Sequence, residues 1–123
     1  MKIAFIAGPY YGDGQHTTIE QNICDAEMVA IQLANRGIAF FCPHTHTRHF
    51  EEKAIAKEPF YHKLDRAILI CLADAIVALP RRNESNGAKA EIALAKKLGI
   101  TVFFLSSLDD DKVFDEIANW ASE

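Results

Sequence analysis

Two carboxylates stand where helical sequence should have carried apolar residues. In RRNESNGAKAE, residues 81–91, a Ser-Asn-Gly corner opens a helical segment and Glu91 follows about a turn later. Its neighbours three, four and seven residues away are Gly87, Ala88, Leu94, Ala95 and Leu98, whereas Lys89, Lys96 and Lys97 project from the other side. Glu91 therefore lies on the inward stripe, where an isolated charge is strongly unfavourable and must be paired, hydrated or serving a ligand. It sits ~7.5 Å along the axis from the helix start, within reach of a site at that end. Asp65 repeats the pattern, flanked at helical spacing by Tyr61, Ile68, Leu69 and Leu72. Two carboxyls on apolar stripes of different helices can converge, and such a pair suits nucleophile and acid/base roles because environment separates the two pKa values. Two unrelated charges with local partners are the alternative.

Ser85, Asn86 and Gly87 combine a hydroxyl with free amides at a helix start, a ready anion site, although an N-cap is the commoner role for a serine at such a position. The segment GPYYGDG, residues 8–14, brings Gly8, Pro9, Tyr10 and Tyr11 to the end of a first strand, either to wrap a ligand or as a plain turn. It matches neither GxGxxG nor GxxxxGK[ST], so dinucleotide-type and P-loop chemistry are not signalled. PHTHTRHF holds His44, His46 and His49, a weak metal signal; ligand contact, by His44 and His46, or a plain surface position is the stronger expectation, and no metal or cofactor is expected.

The elements that must carry these residues follow from periodicity. Apolar runs at residues 3–7, 38–42, 75–79 and 101–105 lack polar alternation, as buried parallel strands do. Residues 18–36 read as a helix, with Thr18 and Gln21 as a capping box and Gly37 as its stop. Further helices fit residues 60–73 after Pro59, residues 86–98 between a Ser85 cap and a Gly99 stop, and residues 111–120. Strand and helix in alternation predict a three-layer α/β sandwich with a four- or five-stranded, mostly parallel sheet, flavodoxin- or Rossmann-like. Pro9, Pro43 and Pro80 follow strands, so the loops at residues 8–14, 43–50 and 80–87 share the ligand-binding edge. The stretch 43–59 has the length of a functional loop.

At 123 residues the chain reads as one domain spanning residues 1–123. A net charge of −4 with scattered lysines and arginines disfavours a nucleic acid polymer as partner. The apolar start is too short for a secretory segment or a membrane span, which predicts a cytoplasmic protein. Three cysteines in apolar segments read as reduced core thiols.

The IAGP of the first strand, LDRAILICLADAIVALP, and above all Ser85-x-Gly87-x-x-x-Glu91 followed by ALAKKLGI resemble the nucleoside 2-deoxyribosyltransferase superfamily, including its nucleotide N-glycosidases. The resemblance covers roughly residues 3–105. It implies that Glu91 is a nucleophile attacking the anomeric carbon, that Asp65 assists departure of the base, and that Ser85 holds a 5′-phosphate. It also implies a small-molecule nucleoside or nucleotide partner and a homo-oligomer. The chain departs from the family pattern at Phe5, where alignment through IAGP expects a tyrosine that contacts the nucleophile. A non-catalytic nucleotide or ADP-ribose-like binding module is therefore the competing expectation.

Overall fold

The computed structural model describes residues 1–123. In chain order the elements are β1 (Ile3–Ala7), α1 (His16–Asn35), β2 (Ala39–Phe41), α2 (Pro43–His46), α3 (Phe50–Lys53), α4 (Glu58–Leu72), β3 (Ala75–Ala78), α5 (Asn86–Lys97), β4 (Thr101–Phe104) and α6 (Asp111–Ser122), with one 3₁₀ turn at Arg82–Glu84. The four strands form one sheet in the order β2-β1-β3-β4, every pair parallel.

The side on which each helix lies follows from that order. The chain leaves β1 in one direction to reach β2, then travels the opposite way to β3 and on to β4. Right-handed crossovers must then place α1 on one face and α4 with α5 on the other. The packing agrees: Ala4 and Ile6 of β1 join Ala26, Val29 and Leu33 of α1 and Phe114 and Ile117 of α6. The alternate residues Phe5 and Ala7 join Leu69 of α4 and Ile92 and Ala95 of α5. The result is a three-layer α/β sandwich. The strand order reverses between β1 and β3, which opens a crevice at their carboxyl ends.

Both predicted glycine stops are present in full. Gly37 (φ 70°) donates to Ala34 while Ile38 donates to Leu33, and Gly99 (φ 73°) donates to Lys96 while Ile100 donates to Ala95. These paired bonds satisfy the last carbonyls of α1 and α5.

Three expectations are corrected. Helix α1 begins at His16, ahead of the Thr18 capping box, because Gly14 (φ 82°) closes a turn onto Tyr11 and Asp13 Oδ1 accepts from the Gln15 amide, feeding the chain into the helix early. The outer strands β2 and β4 are not buried; Phe40 and Phe104 are exposed because each edge strand has a neighbour on one side only. Among the cysteines only Cys42 is a core thiol, since Cys24 and Cys71 fall on the outer sides of α1 and α4. No helix is long and apolar enough to cross a membrane.

Candidate functional site

The crevice holds a cleft of about 270 Å³, lined by the loop after β1, the segment from Pro43 to Glu51, the first turns of α4 and the start of α5. Glu91 and Asp65 both reach it. Each is only partly exposed, and neither is neutralised by an ion pair. Burial, reinforced by the negative charge of Asp65 and opposed by Arg66, pushes the Glu91 carboxyl up to about 8. Burial raises Asp65 to about 6, opposed by the nearby His62 and His46, and its Oδ1 is buried without a hydrogen-bond partner. Near neutral pH the pair therefore holds one proton between its two carboxyls.

The start of α5 resolves the two expectations for Ser85. Its Oγ caps the helix, accepting from the Ala88 amide at 3.0 Å. The hydroxyl proton remains available to donate, and the amides of Asn86 and Gly87 have no acceptor within the protein. All three residues line the cleft, so one helix end offers a hydroxyl and two N–H donors to an anion. A Cβ at Gly87 would lie 3.1 Å from Cε1 of the His62 ring on α4, so a larger residue there would need that exposed ring to shift.

On the opposite wall, Gly8 admits no side chain, because a Cβ would lie 2.9 Å from Cδ2 and 3.0 Å from Cβ of Leu79. His44 is fully enclosed, and its Nε2 donates to the Pro9 carbonyl at 2.9 Å. Burial keeps that imidazole neutral by lowering its pKa. His44 thus joins the exit of β2 to the exit of β1 and forms part of the cleft lining. Tyr10 donates to Glu51 at 2.8 Å and accepts from the His49 amide at 3.0 Å, so its hydroxyl is committed to the wall. Tyr11 packs edge-on against Tyr10, and burial together with the charges of Glu58 and Glu51 pushes its hydroxyl up to about 12.

Of the sequence candidates, Gly8, Pro9, Tyr10, Tyr11, His44, Asp65, Ser85, Asn86, Gly87 and Glu91 line one cleft. His46 does not; it is exposed, with its ring edge-on to Phe41. The HxHxxH run diverges, because α2 ends between its members: His44 points to Pro9, His46 outward, and His49 to Glu20. Phe5 is completely buried in the apolar cluster beneath α4 and α5.

Sequence reasoning missed Tyr61, whose hydroxyl is buried in the cleft wall without a partner. It lies one turn before Asp65 on the same face of α4, a spacing that could have flagged it. Asn22 was also missed. Buried on α1, it donates to the Tyr10 carbonyl at 2.9 Å and accepts from Arg81 at 2.8 Å, linking the loops after β1 and β3. A single asparagine on an amphipathic helix carries no local signal of such a role.

Residues 2–104 match a family model described as a domain of unknown function, DUF4406, which covers both helices of the carboxyl pair and every residue lining the cleft. No curated protein matches the sequence.

Proposed function

The chain belongs to the DUF4406 family of domains of unknown function, and from that premise we propose that it cleaves or transfers at the N-glycosidic bond of a nucleoside or nucleoside 5′-monophosphate. The observation that carries this reading is the coupling of Glu91 and Asp65, two carboxyls from different helices that share one cleft and one proton at neutral pH. The resemblance of the Ser85, Gly87 and Glu91 pattern to the nucleoside 2-deoxyribosyltransferase superfamily supplies the substrate class.

In this reading a 5′-phosphate or the 5′ end of the sugar rests on Ser85 and the Asn86 and Gly87 amides, and the sugar lies over the next turn of α5. The reactive form carries the proton on Asp65 and the charge on Glu91. A Glu91 oxygen then forms a bond to the anomeric carbon as the carbon–nitrogen bond breaks. The electron pair leaves with the base nitrogen, which takes the Asp65 proton. Water or a second base next attacks the anomeric carbon, releasing Glu91 while Asp65 recovers a proton from the incoming group. Tyr61 lines the same cleft, and its buried, unpartnered hydroxyl can bond the bound molecule once the side chain turns outward.

One observation favours a second reading, a nucleotide-binding module without turnover. Phe5 offers no hydroxyl to Glu91, and the Tyr10 hydroxyl is already used twice. Burial of Glu91 independently favours its protonated form, which cannot attack. Homo-oligomer formation belongs to the same proposal and is supported by the exposed apolar residues Phe60, Ile70 and Leu72 along α4.

The test is incubation with a panel of nucleosides and nucleoside 5′-monophosphates, with free base read by chromatography and binding by thermal shift. Base release that disappears in Glu91→Gln at unchanged circular dichroism supports the enzyme. Release unaffected by that substitution sinks the assignment, and stabilisation without release selects the binding module.

A further inference from the structure

A second cluster of titratable groups lies on the outer rim of the cleft wall, where the first residue of α1 meets the turn between α2 and α3. Ligand atoms of His16, His49 and Glu52 come within 4.8 Å of one another. The stretch PHTHTRHF contributes only one of the three, and His16 and Glu52 are brought to it by the fold.

His49 is the centre of the cluster. Its side chain is 9% exposed, and Nε2 lies 3.0 Å from Glu20, whose carboxylate is itself ion-paired with Arg48. A carboxylate accepts, so Nε2 donates that bond, and Nδ1 is the nitrogen turned toward Glu51 and Glu52. That Nδ1 is buried without a hydrogen-bond partner, as is Oε1 of Glu51. Nδ1 stands 3.6 Å from Glu51 Oε1 and 3.8 Å from Glu52 Oε1. These separations are too long for hydrogen bonds. They are close to the spacing of about 3.4 Å between two ligands on one tetrahedral ion with bonds of about 2.0–2.1 Å. An imidazole with its outer nitrogen fixed by a carboxylate and its inner nitrogen bare has the arrangement of a metal-ligating histidine.

The backbone at His49 agrees. His49 is the sole non-glycine residue with positive φ, at 56°, a backbone conformation that surrounding contacts must maintain. The His16 ring lies face to face with the His49 ring at 4.4 Å and 11°, with His16 Nδ1 reaching Glu52 Oε1 at 2.5 Å, so the His16 ring must turn out of this stack to bring a nitrogen lone pair onto an ion that His49 also ligates. His16 is well exposed, so both the stack and the Glu52 contact are free to open.

We propose that His16, His49 and Glu52 form a binding site for one divalent transition metal of the zinc class, with Glu51 Oε1 or a water completing four ligands. The mixed nitrogen and oxygen donors suit zinc, cobalt or nickel and not magnesium or calcium, which take oxygen ligands. The ion would fasten the start of α1 to α3 and hold Glu51, the acceptor for Tyr10, so it acts as a clip on the cleft wall and takes no part in the chemistry.

The experiment uses tag-free full chain, stripped with chelator and titrated with Co²⁺ and then Zn²⁺. One Co²⁺ per chain with the intense visible bands of four-coordinate cobalt, displaced by Zn²⁺ and accompanied by a rise in Tm, is expected. His16→Ala and Glu52→Gln alter exposed side chains and should abolish the bands. Glu20→Gln should weaken binding about 10- to 100-fold, and His46→Ala should leave it unchanged. Absence of stoichiometric Co²⁺ binding, or binding that survives both His16→Ala and Glu52→Gln, overturns the proposal.

Discussion

Glu91 on α5 and Asp65 on α4 form one electrostatic unit, in which the charge of Asp65 helps to keep the proton on Glu91. Catalysis that needs one carboxylate and one proton therefore has a window. Below about 6 both groups are protonated and no nucleophile remains; above about 8 both are ionised and none can protonate the departing base. A bell-shaped kcat/KM profile with limbs near those two values is expected for base release. Asp65→Asn should remove one limb, and a profile flat from pH 5 to 9 would refute the pairing.

The same shift has a consequence for stability. Glu91 binds its proton more tightly in the folded chain, at about 8, than at its ordinary value of 4.5. Its contribution is thus fully present below about pH 4.5 and is lost as pH rises through about 8. Glu91→Gln removes that loss. The variant should gain at least ~1 kcal/mol at pH 9, a rise of about 4 °C in Tm for a domain of this size, and little at pH 4.5. Equal gains at both pH values, measured by calorimetry, would show that the carboxyl is not held neutral by its surroundings.

Ser85 carries two separable roles. Removing the hydroxyl in Ser85→Ala loses the bond to the Ala88 amide and should cost about 1 kcal/mol of stability. If the hydroxyl also donates to a phosphate, the variant's KM should rise for a nucleoside monophosphate and stay constant for the matching nucleoside. A rise common to both would assign Ser85 to helix capping alone.

Gly8→Ala tests the join beneath the cleft. The new methyl would meet Leu79 at both Cβ and Cδ2, and the Cβ contact at 3.0 Å persists whatever rotamer Leu79 adopts. A loss of about 1–3 kcal/mol is expected. The companion change Leu79→Ala should not restore it, because alanine retains the Cβ; full recovery in the double variant would mean that only the side-chain tip matters.

The strands of the core were legible because each is a short unbroken apolar run, and β1 was delimited to the residue. Helix ends marked by Ser85, Gly37 and Gly99 were equally legible, since each signal acts within a few residues. Glu91 and Asp65 were visible as charges that violate an apolar stripe. Helix α1 was misjudged at its start because a glycine turn outcompeted the capping box, and strand exposure because the order of strands is not a local property. Asn22 and the meeting of His16 with His49 depend on tertiary placement, so residue type and spacing give no account of them, whereas Tyr61 stands at a helical spacing from Asp65 that could have flagged it.

The strand order has one more consequence. The cleft is assembled from segments near residues 8, 44, 65 and 87, and β1 and β3 that carry its two walls are adjacent in the sheet yet separated by about 70 positions along the chain. During synthesis β1, α1 and β2 emerge long before α5 does, so the cleft is incomplete until α5 has been made. A ligand seated there touches both ends of that long-range pairing and should act as a brake on unfolding.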